Sequence, residues 1–195
     1  MCGIIGIIYK NTESAGLASI GSDLIKMLES LEHRGRDSTG ITVGGVENKA
    51  DYIVRYRIED KNSNALEILS KEVSSIGGVI EFSEFLNGFG KICANYEGDL
   101  SKLANTIADI EGVDLDSIGT NSEIVKDVGD AVELNDRHSI GEIKGTHGIG
   151  HVRMATESKI DVSHSHPFWA YPFPDISVVH NGQLTNYHSL RRKYQ

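Results

Sequence analysis

Apolar positions along the chain recur with two periods. Cys2–Tyr9 is a short run rich in isoleucine and reads as a buried strand. Between Ser22 and His33, residues Leu24, Met27, Leu28 and Leu31 fall at i, i+3, i+4 and i+7. That spacing predicts a helix with Ser22 as N-cap and Gly35 just past its end. Gly40–Val43 predicts a second strand, and Gly44-Gly45 a turn behind it. The pattern changes between Val46 and Thr146. Tyr52–Arg57 alternates like a strand, while Leu66, Leu69, Val73 and Ile76 share one helix face, as do Leu100, Leu103, Ile107 and Ile110. Gly77-Gly78 and Asn87-Gly88 punctuate the segment, which has no internal repeat and no low-complexity tract. Residues 46–146 are therefore expected to form a structured insertion or subdomain. Gly148–Ala155 and Ile176–His180 read as strands, and the loop between them holds all three prolines and Trp169. Thr185–Tyr194 predicts a last helix with Thr185 as N-cap.

A chain of 195 residues that is 39% hydrophobic can bury a real core and suits one domain, with or without an insertion. The 28 acidic residues outnumber the 19 basic ones, and no Lys/Arg run stands out, so no nucleic acid is expected as a partner. Two cysteines, Cys2 and Cys93, make no disulfide framework and point to a reducing compartment, the cytoplasm. No apolar run reaches membrane-spanning length, and the N-terminus lacks the basic segment and cleavage site of a signal peptide.

Candidate chemistry begins at Cys2. Removal of Met1 would leave one residue carrying both a thiol and a free α-amine. An α-amine titrates near roughly 7.7–8.0, so it can act as a base at neutral pH without a tuned neighbour. Three further segments accompany it. His33-Arg34-Gly35-Arg36-Asp37-Ser38 lies at a helix-to-strand junction, where a C-cap glycine with a solvated charge pair is the plain reading. Gly148–Ser158 carries Arg153 on a strand in apolar surroundings, where a guanidinium needs an anion. That anion is either a structural acid or a substrate carboxylate held in a bidentate fork. His180-Asn181-Gly182 closes a strand as a turn, and an Asn amide beside a Gly N–H is also the donor pair of an oxyanion hole. His147/His151 and His164/His166 are spaced like metal-ligand pairs. On a strand, however, the first pair lies about 13 Å apart, and no Cys-rich or carboxylate-paired site accompanies them. No metal site is expected.

Taken together, these segments resemble the class II glutamine amidotransferases, a group of N-terminal-nucleophile hydrolases. The resemblance covers the first ~43 residues and then Gly148 to the end. It rests on Met1-Cys2-Gly3-Ile4-Ile5-Gly6, the His33–Ser38 segment, Gly150-His151-Val152-Arg153 with Thr156, and His180-Asn181-Gly182, in the family's order. Arg153–Ser158, His166-Pro167-Phe168, Val179–Asn186 and Ile124–Gly129 narrow it to the stand-alone amidotransferase subunits of archaeal-type glutamate synthase. Subunits of N-methylglutamate synthase share that pattern.

The resemblance implies an α+β fold, the αββα sandwich of N-terminal-nucleophile hydrolases, with Cys2 opening a central strand and residues 46–146 packed at one edge. It implies that Cys2 attacks the side-chain amide of L-glutamine and passes through a γ-glutamyl thioester. Asn181 and Gly182 would stabilise the oxyanion, and Arg153, Thr156 and His180 would bind substrate. Ammonia would go to a synthase subunit on another chain. This chain carries no cofactor in that reading, since flavin and iron–sulfur centres would sit on the synthase. The family also grips the substrate α-ammonium with an acidic residue beyond the Asn-Gly turn, and no matching position occurs before Gln195. The C-terminus thus reads as truncated: a fragment, one half of a split gene, or a degenerate homologue. The competing readings are a module that binds glutamine or a synthase without turnover, and the amidotransferase part of another synthase such as N-methylglutamate synthase or amidophosphoribosyltransferase.

Overall fold

A computed structural model describes residues 2–10, 19–58, 64–155 and 159–194. Two antiparallel four-stranded sheets carry the architecture. The first has the order β1 (Gly3–Ile8), β8 (His147–Arg153), β2 (Ser38–Gly44), β7 (Ser122–Val128). The second has the order β4 (Val79–Leu86), β5 (Phe89–Asn95), β3 (Tyr52–Ile58), β6 (Val113–Gly119). A short hairpin, β9 (Phe168–Trp169) with β10 (Ser177–Val178), lies in the proline-bearing loop.

Each sheet hides one face under a helix pair. Helices α1 (Ile20–Glu29) and α4 (Ala131–His138) cover the first, burying Leu24, Leu28 and Leu134 against Ile5, Ile41 and Val152. Helices α2 (Ala65–Ser75) and α3 (Leu100–Ala108) cover the second, with Leu69, Val73, Leu103 and Ile107 on Val54, Tyr56 and Ile92. Full burial of each such Leu or Ile is worth about 1.5–3 kcal/mol. Polar residues set the helix starts. Asp99 accepts the Ser101 N–H before α3, and Asp130 with Glu133 forms a capping box on α4. This helix–sheet–sheet–helix arrangement fits an N-terminal-nucleophile-hydrolase-like fold.

The sheets meet where the β6–β7 connection carries the chain from one to the other, and the seam is ionic. The Glu123 carboxylate accepts from Arg55 Nε at 2.7 Å and Lys91 Nζ at 3.1 Å. Asp116 accepts from Arg57 Nε at 3.0 Å, and Lys126 Nζ lies 3.7 Å from its other oxygen. Burial works against ionisation of Glu123, but Arg55 and Lys91 outweigh it and hold the carboxyl below its usual range.

Several details differ from the sequence reading. Strand β1 is at the end of its sheet rather than central, because only β8 pairs with it among the described residues. Nor is it wholly buried: the pleat turns Ile4 and Ile8 outward, 43% and 75% exposed. Residues 46–146 supply the whole second sheet and also β7, the end strand of the first, which pairs with β2 along its whole length. Helix α1 begins at Ile20, ahead of the expected Ser22 cap. The last helix, α5 (Tyr187–Tyr194), begins two residues after Thr185. The strand expected at 176–180 shrinks to Ser177–Val178 and pairs with β9 rather than with a main sheet. Four strands, β4 to β7, escaped the periodicity, although Asn87-Gly88 proves to be a hairpin turn with both φ angles positive, 52° and 86°.

The seam yields a stability prediction. Replacing Glu123 by Gln keeps the shape but leaves Arg55 and Lys91 facing a neutral group in a buried site. Urea unfolding at pH 7 should show a loss of about 3 kcal/mol; a loss below about 1 kcal/mol would mean that solvent screens the seam.

Candidate active site

The register of β8 decides what faces the inside. Gly148, Gly150 and Val152 turn toward α1, where Leu24, Leu28 and Ile5 lie close to them. Ile149, His151 and Arg153 therefore turn to the opposite, inner face. The pairings Gly3 with Val152 and Ser38 with Arg153 bring the starts of β1 and β2 to the end of β8.

Cys2 sits at this corner, half-buried. Its Sγ approaches the Met154 carbonyl at 3.8 Å. Its own carbonyl accepts two hydrogen bonds, from Arg34 Nε at 3.0 Å and from Asn181 Nδ2 at 2.9 Å. Three segments that are distant in sequence thus converge on one residue.

The 33–38 segment acts as a brace. Asp37 donates its N–H to the Arg153 carbonyl at 3.0 Å, and its carboxylate accepts the Ala155 N–H at 2.6 Å. Gly35 is not a left-handed C-cap; its φ is 170°, extended backbone. It must be glycine for space, because a Cβ there would lie 2.4–2.6 Å from the Arg153–Met154 peptide. Only Arg36 fits the plain solvated reading, paired at 2.8 Å with Glu32. Read from sequence alone, Gly35 had only a C-cap role, and Arg34 and Asp37 had no task beyond a solvated charge pair. The glycine beside alternating charges was the available signal.

Arg153 is 5% exposed, and its Nη2 donates to the Lys159 carbonyl at 3.0 Å. Thr156, expected beside it, lies outside the described residues. His180 turns its carbonyl inward and its side chain is exposed. Asn181 and Gly182 are also exposed.

Behind this corner lies a pair that sequence spacing did not suggest. His151 is fully buried, and its ring lies 4.5 Å from that of His166. His151 Nε2 meets the His180 carbonyl at 3.1 Å. A carbonyl only accepts, so Nε2 carries the proton and Nδ1 is the bare nitrogen. Burial pushes both rings down to about 4, and the neighbouring cations Arg153 and, for His166, Lys126 add to that. The spacing-based pairs are separated: His147 bonds Thr146, and His164 bonds Asp161. Among the described residues, no group of three or more His, Cys, Asp or Glu side chains is placed to hold a metal. Also among them, no helix is long and apolar enough to cross a membrane.

Comparison with known proteins places this corner in context. No family model matches the chain. It is 40% identical over 200 aligned residues to a protein of Methanothermobacter thermautotrophicus named "Putative glutamine amidotransferase", covering 98% of this chain and 64% of that one. It is 30% identical over 196 residues to the glutamine amidotransferase-like protein GlxB of Rhizobium meliloti, covering 99% and 62%. A shorter match, 34% over 94 residues, links 48% of the chain to 15% of a glutamine–fructose-6-phosphate aminotransferase of Francisella tularensis. These relatives support a class II glutamine amidotransferase. The chain spans a little under two thirds of the length of the first two. The likeness to an archaeal-type glutamate synthase subunit is finer than these matches reach.

The buried imidazoles give the site an acid limit. Their folded pKa values lie below the ordinary 6.5. Between pH 6.5 and 4 the unfolded chain therefore binds protons that the folded chain refuses, and stability falls as pH falls. For His151 the effect is on the order of 3 kcal/mol; the partly exposed His166 adds less. Urea unfolding at pH 7, 6, 5 and 4.5 should show this decline, above the window where Asp127, Asp161 and Asp175 lose their charge. A flat profile would contradict a neutral buried pair.

Proposed function

We propose that this chain carries the glutaminase centre of an amidotransferase. The observation that supports this reading most is the 2.9 Å hydrogen bond from Asn181 Nδ2 to Cys2, two residues separated by 179 positions. It sets an amide donor beside the one thiol that removal of Met1 would leave on the N-terminal residue.

In this reading the Cys2 α-amine takes the thiol proton and Sγ attacks the amide carbon of L-glutamine. The oxyanion forms within reach of the Asn181 amide and the Gly182 N–H. The amide nitrogen leaves as ammonia with the transferred proton, and water then cleaves the γ-glutamyl thioester to glutamate. A guanidinium grips a carboxylate as a bidentate fork, and Arg153, at the inner-face end of β8 opposite Ser38, is proposed to hold the substrate carboxylate in this way. Thr156 and the exposed His180 side chain are proposed as substrate contacts. Ammonia passes to a synthase subunit, and the motifs at Ile124–Gly129 and Val179–Asn186 favour one that makes glutamate. The chain itself holds no cofactor in this proposal; flavin and iron–sulfur centres belong to the synthase.

A second reading draws on the exposure of His180–Gly182. In it, the chain binds glutamine or a synthase without turnover.

One experiment separates the two. Intact-mass analysis after incubation with a diazoketone analogue of glutamine should show loss of one Met and a single adduct, blocked by glutamine. Ammonia release should vanish in Cys2→Ala. In Asn181→Ala its kcat should fall about 100–1,000-fold, as for removal of one oxyanion donor. No adduct, or ammonia release that survives Cys2→Ala, overturns the glutaminase reading.

A further inference from the structure

His151 and His166 are absorbed by none of the roles above. His151 is buried and His166 half-buried, both are held neutral, and their rings touch on the inner face of the first sheet. Burying an imidazole is costly unless its polar atoms are used. His151 uses one of them on a single backbone atom, the His180 carbonyl. That carbonyl belongs to the peptide that leads into Asn181, whose amide holds Cys2. The segment has no strand to fix it: β10 ends at Val178, and 180–182 are exposed. The His151 hydrogen bond is thus a tie between the rigid β8 and the backbone that carries the Asn181 side chain.

We propose that His151 is a positioning residue: its Nε2–H, donated to the His180 carbonyl, sets the Asn181 amide against Cys2, and His166 holds the His151 ring in that orientation by packing. This rests on the glutaminase reading for its catalytic consequence, but not for its geometry. The ring is fixed from several sides. Arg153 lies on its own strand, Gly40 stands opposite it on β2, and His166 and His180 come from the loop. Gly40 gives the loop room, since a Cβ there would lie 2.2 Å from the His166 carbonyl oxygen. Lys126, on β7, anchors the same loop through the Ser165 carbonyl at 3.2 Å and the Pro167 carbonyl at 3.3 Å. The charged or titratable groups facing the pair are therefore Arg153, Lys126 and His180.

Gln can place an amide N–H near the position of the imidazole Nε2, whereas Leu cannot. In His151→Leu the glutaminase kcat should fall at least 10-fold with KM for glutamine changed less than 3-fold. His151→Gln should recover most of that loss. In an Asn181→Ala background, His151→Leu should add little, because the group it positions is gone. Equal losses in the Leu and Gln variants, or additive losses with Asn181→Ala, overturn the proposal. A reading that needs no activity keeps the test open if the chain proves not to turn over glutamine or if His151→Leu does not fold. Imidazole ¹⁵N spectra of the unmodified protein should show His151 as the neutral Nε2–H tautomer at pH 6, and its proton should be lost from the spectrum only when the fold is. An Nδ1–H tautomer, or titration near 6.5 in the folded protein, overturns it.

Discussion

The register of β8 between β1 and β2 is the constraint on which the site depends. Side chains alternate across a strand, so a slip of one residue would send His151 and Arg153 into the leucine layer under α1. It would also bring Val152 to the face where Cys2, Arg34 and Asn181 meet. The register is held from both sides. Residues Gly148 and Gly150 let Leu24 and Leu28 of α1 sit against the backbone of β8, and Asp37 grips the strand's last carbonyl and the N–H beyond it. A bulky residue at 148 or 150 would lift the helix from the sheet before it disturbed any residue of the site.

The seam between the sheets follows a different logic. An apolar seam of equal volume would be as stable or more so, since desolvating Glu123, Asp116 and Lys126 costs much of what their pairing returns. Charges do make the seam selective. Glu123 on β7 has partners from β3 and β5, and Asp116 on β6 has partners from β3 and β7. Another stagger of the sheets would leave a buried charge unpaired. The seam thus fixes β7, and through β7 the strand β2 on which Ser38 faces Arg153.

How far the sequence could be read varies with the physics behind each element. Helices α1, α2 and α3 were legible because an apolar stripe has one partner, the sheet beneath it; the short α4, mostly polar, was not. Strand β8 was legible, and Cys2, Arg153 and Asn181 stood out because they carry chemistry that a plain core does not need. The strands β4 to β7 were not: Ser122–Val128 mixes Glu123, Lys126 and Asp127 with Ile124 and Val125, and these charges on a buried strand are explained only by the ionic seam and, for Asp127, by Arg137 and His138 of α4. The edge position of β1 was hidden because an isoleucine run reads the same on an open face as on a covered one. The His151–His166 pair was hidden because local spacing suggested His147 with His151 and His164 with His166, while the fold pairs the members of different sets.

The loop from Asp161 to Gly182 shows how a segment with almost no regular structure can still place a side chain. It is stitched to the inner face at separate points along its length. Lys126 holds the Ser165 and Pro167 carbonyls, Thr42 shares a 2.8 Å hydrogen bond with Ser177, Asp175 caps the β6–β7 turn at Thr120 and Asn121, and His151 takes the His180 carbonyl. All but the last of these lie upstream of residue 180 and act on backbone or hydroxyl groups remote from Cys2. They confine the loop to the sheet but leave the orientation of the Asn181 peptide undetermined, because a peptide can rotate about its flanking Cα atoms while the chain stays in place. Among the described residues, the bond from His151 is the one that acts on that peptide's own carbonyl side. Confinement is therefore spread over many contacts, and orientation rests on one. Weakening an upstream stitch should loosen the loop as a whole, while weakening the last should misdirect one amide and leave the loop seated.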